Sequence, residues 1–259
     1  MRFEEWIDTA EGKVLITGAC SGIGLEYLKR IVKTGTGIIA VSENQERMDS
    51  VIKSYPNADI TPIVCDFRKI PEVKKLCKKL EKEEICVLIN NAGIGAKGLF
   101  TQNDPQTYID TILINNLAPT VILRSVLPKI QEKNHGLIIN ISSINSLVPI
   151  PKNQTYTATK AFLSSLALAI SYENKDSDVL FQLVLPGTTD TPFHVKQGAS
   201  PSTMFLKPSA VVEQSLDEVD KEIIIPLFAD RILSKFIHFI PSKIAMGLAQ
   251  FLLEKRLGV

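Results

Sequence analysis

Two side chains four residues apart, Tyr156 and Lys160, form the pair best suited to acid/base chemistry. The apolar pattern of Thr157–Tyr172 predicts a helix, in which residues at this spacing lie one turn apart on one face. An ammonium group beside a phenol stabilises the phenolate, so Lys160 is expected to lower the Tyr156 pKa from ~10 toward neutrality. Such a tyrosine exchanges a proton with a substrate oxygen. The alternative for the pair alone is a solvated helix face.

Two serines, Ser142 and Ser143, end an apolar stretch that is predicted to be a strand. A hydroxyl at the end of a buried strand, shortly before the tyrosine, favours catalysis over the solvated face. Adjacent strand residues face opposite ways, so only one of the two serines points at a substrate. Its hydrogen bond to a carbonyl oxygen would stabilise the charge that develops there.

The segment Thr17–Gly24 reads TGACSGIG and lies between a predicted strand and a predicted helix. Gly18 permits a tight turn, Gly22 lets a pyrophosphate approach the backbone, and Gly24 lets helix and strand pack closely. The N-terminus of the helix then offers free N–H groups and a positive dipole end to phosphate. A merely structural turn is the alternative. The predicted cofactor contacts in this loop are Gly18, Ser21, Gly22, Ile23 and Gly24.

Short β-branched apolar runs alternate with amphipathic stretches along the chain. Buried strands separated by helices predict a parallel sheet covered on both faces. Because crossovers are right-handed, the expected fold is α/β: a doubly wound, Rossmann-type sheet in a three-layer αβα sandwich, with residues 1–259 as one domain. The predicted strands are Lys13–Thr17, Gly37–Val41, Ile60–Cys65, Cys86–Asn90, Gly136–Ser142, Val179–Leu185 and Ile223–Pro226. The predicted helices include Leu25–Val32, Pro71–Glu81, Pro105–Gln131 and Thr157–Tyr172.

The glycine spacing G-x-x-x-G-x-G resembles that of the short-chain dehydrogenase/reductase family. Further motifs follow in the family's order: Asn90-Asn91-Ala92-Gly93, Asn115, Asn140-Ile141-Ser142-Ser143, Tyr156-Thr157-Ala158-Thr159-Lys160, and Pro186-Gly187 with Thr191. The resemblance covers about residues 13–192. It implies an oxidoreductase in which hydride passes between a nicotinamide cofactor and an alcohol or carbonyl carbon.

The resemblance also assigns a catalytic set of Asn115, Ser143, Tyr156 and Lys160. It selects Ser143 rather than Ser142 as the hydroxyl that holds the substrate oxygen. Tyr156 moves the proton on that oxygen, while Lys160 also holds the nicotinamide ribose. Asn115 belongs to a relay that returns protons to the tyrosine through water and the lysine.

The same resemblance implies the cofactor contacts. Thr191 hydrogen-bonds the nicotinamide carboxamide, and Pro186-Gly187 brings the backbone close to the nicotinamide. Asp66 contacts the adenine or, alternatively, is an acid at a helix N-terminus. The remaining predicted contacts are Ser42, Glu43, Phe67, Asn91, Ala92 and Gly93.

The choice between NAD and NADP depends on Ser42 and Glu43, where the second strand approaches the adenine ribose. An acid accepts hydrogen bonds from the ribose hydroxyl, and a base accommodates a 2′-phosphate. The family's common patterns put Asp at the Ser42 position for NAD, or Arg at the Glu43 position for NADP, and this chain has neither. Glu43 would repel the phosphate, so NAD is expected over NADP, and both stay open.

Two other activities fit the same motifs. One is a catalytically idle, dinucleotide-binding regulator, because the fold serves many functions. The complete catalytic set argues against it, since a sensor needs only the binding half. The other is an epimerase or dehydratase that uses the same tyrosine and lysine.

Composition excludes several classes of function. The chain has 29 basic and 28 acidic residues, a balance that predicts no nucleic-acid surface. Its four cysteines form no C-x-x-C pair and its three histidines are far apart, so no metal site is predicted. The N-terminus carries acids where a signal peptide would be apolar, and no run of ~18 uncharged apolar residues occurs. The expected location is the cytoplasm.

Three expectations concern surfaces beyond the shared motifs. A substrate loop at about 193–208 carries apolar residues that favour a lipid-like, steroid-like or acyl substrate. A helical tail at about 227–259, amphipathic and basic, either packs on protein or contacts an anionic membrane surface. The helix Thr157–Tyr172 is apolar nearly all round, which predicts a homodimer or homotetramer built on it and on Pro105–Gln131. The apolar residues of the loop are Phe193, Val195, Met204, Phe205 and Leu206.

Overall fold

The computed structural model describes residues 1–195 and 205–257; residues 196–204, which include Met204, and residues 258–259 lie outside it. Seven strands occur in these residues: β1 Lys13–Thr17, β2 Ile38–Ser42, β3 Ile60–Val64, β4 Ile85–Asn90, β5 Gly136–Ile141, β6 Val179–Val184 and β7 Ile223–Ile224. They form one sheet in the order β3-β2-β1-β4-β5-β6-β7, and every neighbouring pair is parallel. The predicted fold class is confirmed. The predicted first strand has the observed bounds, and the other six differ by one or two residues at an end.

The helices cover both faces of this sheet. They are α1 Phe3–Ile7, α2 Gly22–Ile31, α3 Gln45–Ser54, α4 Ile70–Leu80, α5 Pro105–Ile112, α6 Ala118–Lys133, α7 Gln154–Glu173, α8 Pro192–Val195, α9 Pro208–Asp217, α10 Phe228–Phe236 and α11 Ser242–Leu257. Successive strand residues enter different cores: in β1, Val14 and Ile16 pack with α2 and α9, while Leu15 packs with α4 and α6. This alternation makes the strands apolar on both faces.

The long helix predicted over Pro105–Gln131 is interrupted. A π-helical turn at Leu113–Leu117 separates α5 from α6. Pro119 has no amide hydrogen to bond the carbonyl of Asn115, so regular α-helical bonding fails at this point. The interruption lies at the predicted catalytic asparagine.

By length and composition alone, the segment Pro105–Lys133 could cross a membrane. Its apolar window is 56% buried, and Ile122, Val126 and Ile130 belong to the core beneath the sheet. The segment is therefore accounted for as a core helix.

Candidate active site

A cavity of about 350 Å³ opens at the carboxyl ends of the central strands. It lies at β1 and β4, where the strand order reverses: β2 and β3 follow on one side of β1, and β4 to β7 follow on the other. Such a reversal of strand order is where ligands bind in doubly wound sheets. Sixteen predicted site residues line the cavity: Gly18, Ser21, Gly22, Ile23, Ser42, Glu43, Phe67, Asn91, Ala92, Gly93, Ser143, Tyr156, Lys160, Pro186, Gly187 and Thr191. Gly24, Asp66 and Asn115 are not among the lining residues.

The glycine loop adopts the backbone shape that its sequence predicts. Gly18 has φ +67° and Gly22 has φ +52°, in the left-handed region that favours glycine. A side chain at Gly24 would overlap the Gly18 carbonyl oxygen and the Asn91 amide group. Gly24 thus contributes close packing rather than a cavity wall, and the loop leaves the N-terminus of α2 open to a phosphate group.

Asn91 ties the glycine loop to the end of β4. Its Nδ2 donates to the Thr17 carbonyl at 2.9 Å, and its backbone N donates to Thr17 Oγ1 at the same distance. The preceding Asn90 is buried and donates to Asn140 Oδ1 at 3.1 Å, joining β4 to β5. The two asparagines therefore fix the position of the glycine loop relative to the carboxyl ends of β4 and β5.

Ser143, Tyr156 and Lys160 meet on the opposite side of the cavity. The Ser142 hydroxyl donates to the Lys160 carbonyl at 2.9 Å and contacts Ser164 Oγ at 2.8 Å, which commits it to α7. Ser143 Oγ accepts from Asn145 N at 3.1 Å and is a hydrogen-bond partner of Tyr156. The Ser142 hydroxyl therefore holds α7 against the end of β5, whereas the Ser143 hydroxyl is the partner of Tyr156.

The electrostatics of the tyrosine and lysine differ from the predicted pattern. Burial raises the pKa of Tyr156 to about 12, although the Ser143 hydrogen bond opposes this. Burial also lowers the pKa of Lys160 to about 8. Lys160 Nζ donates to the Ile141 carbonyl at 2.8 Å and lies 5.9 Å from the tyrosine ring centroid. The predicted lowering of the tyrosine pKa is wrong for this geometry, because desolvation of the phenolate outweighs the distant cation.

Asn115 lies behind the cavity wall rather than in it. Its Nδ2 donates to the Ile94 carbonyl at 2.8 Å and to Thr159 Oγ1 at 2.9 Å, and its Oδ1 accepts from Ile94 N at 2.9 Å. A Cβ on Gly93 would lie 3.4 Å from both Asn115 Oδ1 and Lys160 Nζ. Glycine at this position therefore keeps open the space between the two side chains. The neighbouring Asn116 serves packing, because its Nδ2 donates to the Thr159 carbonyl.

Arg68, which sequence reasoning missed, joins the two acids expected at the adenosine end. Its Nε donates to Asp66 Oδ1 at 2.7 Å and its Nη2 to Glu43 Oε2 at 3.0 Å. Burial opposes ionisation of Asp66, but the hydrogen bonds and charge of Arg68 outweigh it and lower the pKa of that carboxyl. The Asp-x-Arg spacing was visible in the sequence, but its contact with Glu43 forms only when β2 meets the β3–α4 turn.

Several other lining residues were also missed as cavity contacts. Arg47 extends from the first turn of α3, and Asn44 caps that helix through a 2.8 Å bond from Arg47 N to its Oδ1. Phe193, expected only in the substrate loop, packs on Tyr156 with ring centroids 5.4 Å apart. The remaining lining residues outside the prediction include Cys20, Cys65, Ile94, Asn145, Thr188 and Thr189.

Known proteins are similar to this chain in sequence over part of their length. The rat (Rattus norvegicus) very-long-chain 3-oxoacyl-CoA reductase is 32% identical over 192 residues, covering 71% of this chain and 59% of the relative. The corresponding reductase-A of Danio rerio is 31% identical over 179 residues, covering 66% and 56%. This chain therefore matches less than two thirds of the length of these relatives.

Two solved structures superpose on most of the chain. A short-chain dehydrogenase from Sphingobium yanoikuyae in complex with NADPH has a TM-score of 0.80 at 26% identity, covering 89% of this chain and 96% of that one. The bulky-bulky ketone specific alcohol dehydrogenase from Comamonas testosteroni has a TM-score of 0.76 at 26% identity, covering 90% and 96%. Residues 12–201 match the model of the short chain dehydrogenase family, which confirms the resemblance. The chain belongs to the short chain dehydrogenase family.

Proposed function

We propose that this chain is a nicotinamide-dependent oxidoreductase that interconverts an apolar alcohol and the corresponding carbonyl compound. The observation that carries the proposal is the convergence of Ser143, Tyr156 and Lys160 on the cavity that also contains the glycine loop. A phosphate-binding loop and an acid/base group in one cavity are the two halves that hydride transfer needs.

Each polar residue has a separate task in this reaction. A bound nicotinamide supplies or accepts the hydride. Ser143 donates a hydrogen bond to the substrate oxygen, and Tyr156 transfers a proton at the same atom. A phenol with a raised pKa stays protonated at neutral pH, so it is suited to donate to a carbonyl oxygen. Lys160 holds the ribose, and the opening beside Gly93 leaves room for proton return past Asn115.

The nature of the cavity wall and of the relatives supports an apolar substrate. Phe193 packs on Tyr156, and Ile94 and Ile114 line the same cavity. The matched relatives are named for 3-oxoacyl-CoA and bulky ketones. An acyl or bulky ketone substrate follows from both observations.

A substrate panel tests the proposed reaction. Acyl, steroid-like and bulky ketones and their alcohols are incubated with each nicotinamide, and cofactor absorbance is followed. Lasting net oxidation or reduction of the cofactor supports the proposal. Cofactor binding without turnover of any substrate would identify a regulator, and product formation without a net change in the cofactor would identify an epimerase or dehydratase.

For the cofactor we infer a preference for NAD over NADP, set by Glu43. Its carboxylate lines the cavity, yet it is half exposed and paired with Arg68, so its repulsion of a 2′-phosphate is moderate. The Sphingobium yanoikuyae relative is in complex with NADPH, so cofactor binding is to be compared for NAD and NADP.

The variant Glu43→Arg should shift the preference toward NADP by about one to two orders of magnitude in the ratio of dissociation constants. It replaces repulsion with attraction and removes the contact of Arg68 with Glu43, while Arg68 stays paired with Asp66. Fluorescence titration with both cofactors measures the ratio. Glu46→Arg is the matched control, because it makes the same charge change at an exposed residue that is not among those lining the cavity. An unchanged ratio in Glu43→Arg would place the ribose elsewhere.

We also infer self-association through α5 and α7. These helices pack on each other, and Ile109, Ile112 and Phe162 on them are each about half exposed. Burying such apolar side chains against a second copy is favourable.

We propose the cytoplasm as the location of the chain. The four cysteines are free thiols, which is the state expected in a reducing compartment.

Sedimentation velocity at micromolar concentration should show a homodimer or homotetramer rather than a species of 28.6 kDa. Phe162→Glu should move the population toward the monomer, because a charge would be buried in the interface. Tyr172→Glu, at the exposed end of α7, serves as the comparison. A monomer throughout the concentration range would refute this inference.

A further inference from the structure

The tail formed by α10 and α11 exposes an unusual amount of apolar surface. Phe239 is 85% exposed and Phe228 is 70% exposed, whereas side chains of this kind are normally buried. Single exposed apolar residues need no explanation, but a concentration in one segment does. The tail surface is defined by its exposed large apolar side chains: Phe228, Ile232, Phe236, Phe239, Ile244, Leu248 and Phe251.

The opposite side of the tail already packs on protein. Ile237 and Ala245 are 6% and 3% exposed, and the carboxylate residue Asp230 is 1% exposed. Arg231 anchors the start of α10 by donating to the Ile225 carbonyl at 3.1 Å. The tail is therefore attached to the domain, and its packing side is distinct from the tail surface. Packing within the chain accounts for the buried side and leaves the tail surface uncovered.

Within residues 227–237 and 239–252, the part of the tail whose side-chain exposure the structure describes, the exposed charges all have one sign. Arg231, Lys235 and Lys243 are exposed, and the one acid in the stretch 227–252, Asp230, is buried. Exposed apolar side chains flanked only by cations match the boundary of a bilayer, where acyl chains lie beneath anionic headgroups. We propose that the tail surface docks on an anionic lipid bilayer.

A second copy of the chain fits this surface less well. Dimers are mostly two-fold symmetric, so the same patch would face itself across the interface. Arg231, Lys235 and Lys243 would then meet their own equivalents without acidic partners from the described part of the tail. Like charges across an interface oppose association, whereas anionic headgroups would attract all three.

Docking would also place the catalytic domain beside a store of apolar molecules. Such access to apolar substrates would add to the proposed reaction, but docking on the bilayer does not require that the reaction occurs. Vesicle binding is read without any substrate, so the two proposals fail separately.

The test is co-sedimentation of the full chain with vesicles of phosphatidylcholine, with and without phosphatidylserine. We expect clear binding to the anionic vesicles and much weaker binding to the neutral ones. The combined variant Phe236→Ser, Phe239→Ser, Phe251→Ser should lower the partition coefficient by at least ~100-fold, because it removes the inserted side chains. All three side chains are exposed, so the fold should persist.

A charge variant gives an independent reading. Lys235→Gln with Lys243→Gln should weaken binding to anionic vesicles about 25-fold, at roughly fivefold for each lysine. Arg231 is left intact because it contacts the domain. Lys74→Gln with Lys75→Gln removes the same charge from the exposed face of α4 and should bind like the parent chain.

Three results would overturn the proposal. The first is no binding to either vesicle, and the second is equal binding to neutral and anionic vesicles. The third is an oligomer without vesicles that the triple phenylalanine variant converts to monomer while vesicle binding stays unchanged, which would assign the tail surface to a second copy.

Discussion

Tyr156→Phe should lower turnover by at least ~10²-fold while nicotinamide affinity stays close to that of the parent chain. The substitution removes the hydroxyl that is proposed to transfer the proton and keeps the ring that packs on Phe193. Since Tyr156 is buried and its hydroxyl is a partner of Ser143, the loss is confined to one hydrogen-bonding group. Steady-state kinetics on an accepted substrate and cofactor titration measure the two quantities.

Tyr172→Phe is the matched control for this experiment. It makes the same chemical change on the same helix, at a side chain that is 70% exposed and is not among those lining the cavity. The control should retain the kcat of the parent chain. If Tyr156→Phe also retains it, another group transfers the proton and Tyr156 has no place in the mechanism.

Lys160→Ala should damage both steps that Lys160 is assigned. We expect turnover to fall by ~10²-fold and the cofactor dissociation constant to rise by at least ~10-fold, since a charged hydrogen-bond donor is lost. Lys160 is 4% exposed, so the truncation also leaves the Ile141 carbonyl without its 2.8 Å donor. Thermal unfolding of the variant separates a loss of stability from a loss of function. Lys175→Ala, in the turn that follows α7, is the control.

The pH profile gives Lys160 a second signature. Its pKa is lowered by burial to about 8, so the ammonium form is lost as the pH rises through that value. Turnover in the direction of carbonyl reduction should therefore decline above about pH 8. Lys160→Arg keeps its charge at every accessible pH and should lack this decline, whatever its absolute rate. A decline that persists in Lys160→Arg would assign the titration to another group.

Much of the fold was predictable because it depends on interactions between near neighbours in the chain. β-Branched runs such as Lys13–Thr17 predict strands wherever both faces of a sheet are covered. Positions 18 and 22 adopt positive φ angles, which favour glycine for local steric reasons. The placing of Tyr156 and Lys160 on one helix face follows from the helical repeat alone. The α3 helix is not among the helices named from the sequence. Its sequence is mostly polar and it buries only Met48 and Val51, so its apolar pattern is weak.

Tertiary structure decided what depends on residues distant in sequence. Asn115 is held behind the cavity wall by its hydrogen bonds to Ile94 and Thr159. Arg68, which follows β3, contacts Glu43 at the end of the neighbouring β2. The pKa of Tyr156 rises because the folded domain removes water from its hydroxyl, a desolvation that no local spacing encodes. The amphipathic tail fitted both a protein-packed and a membrane-facing helix pair, and only the folded chain shows which apolar side chains remain uncovered. Local sequence determines backbone shape and side-chain order, whereas burial and charge pairing arise from packing between segments that the fold brings together.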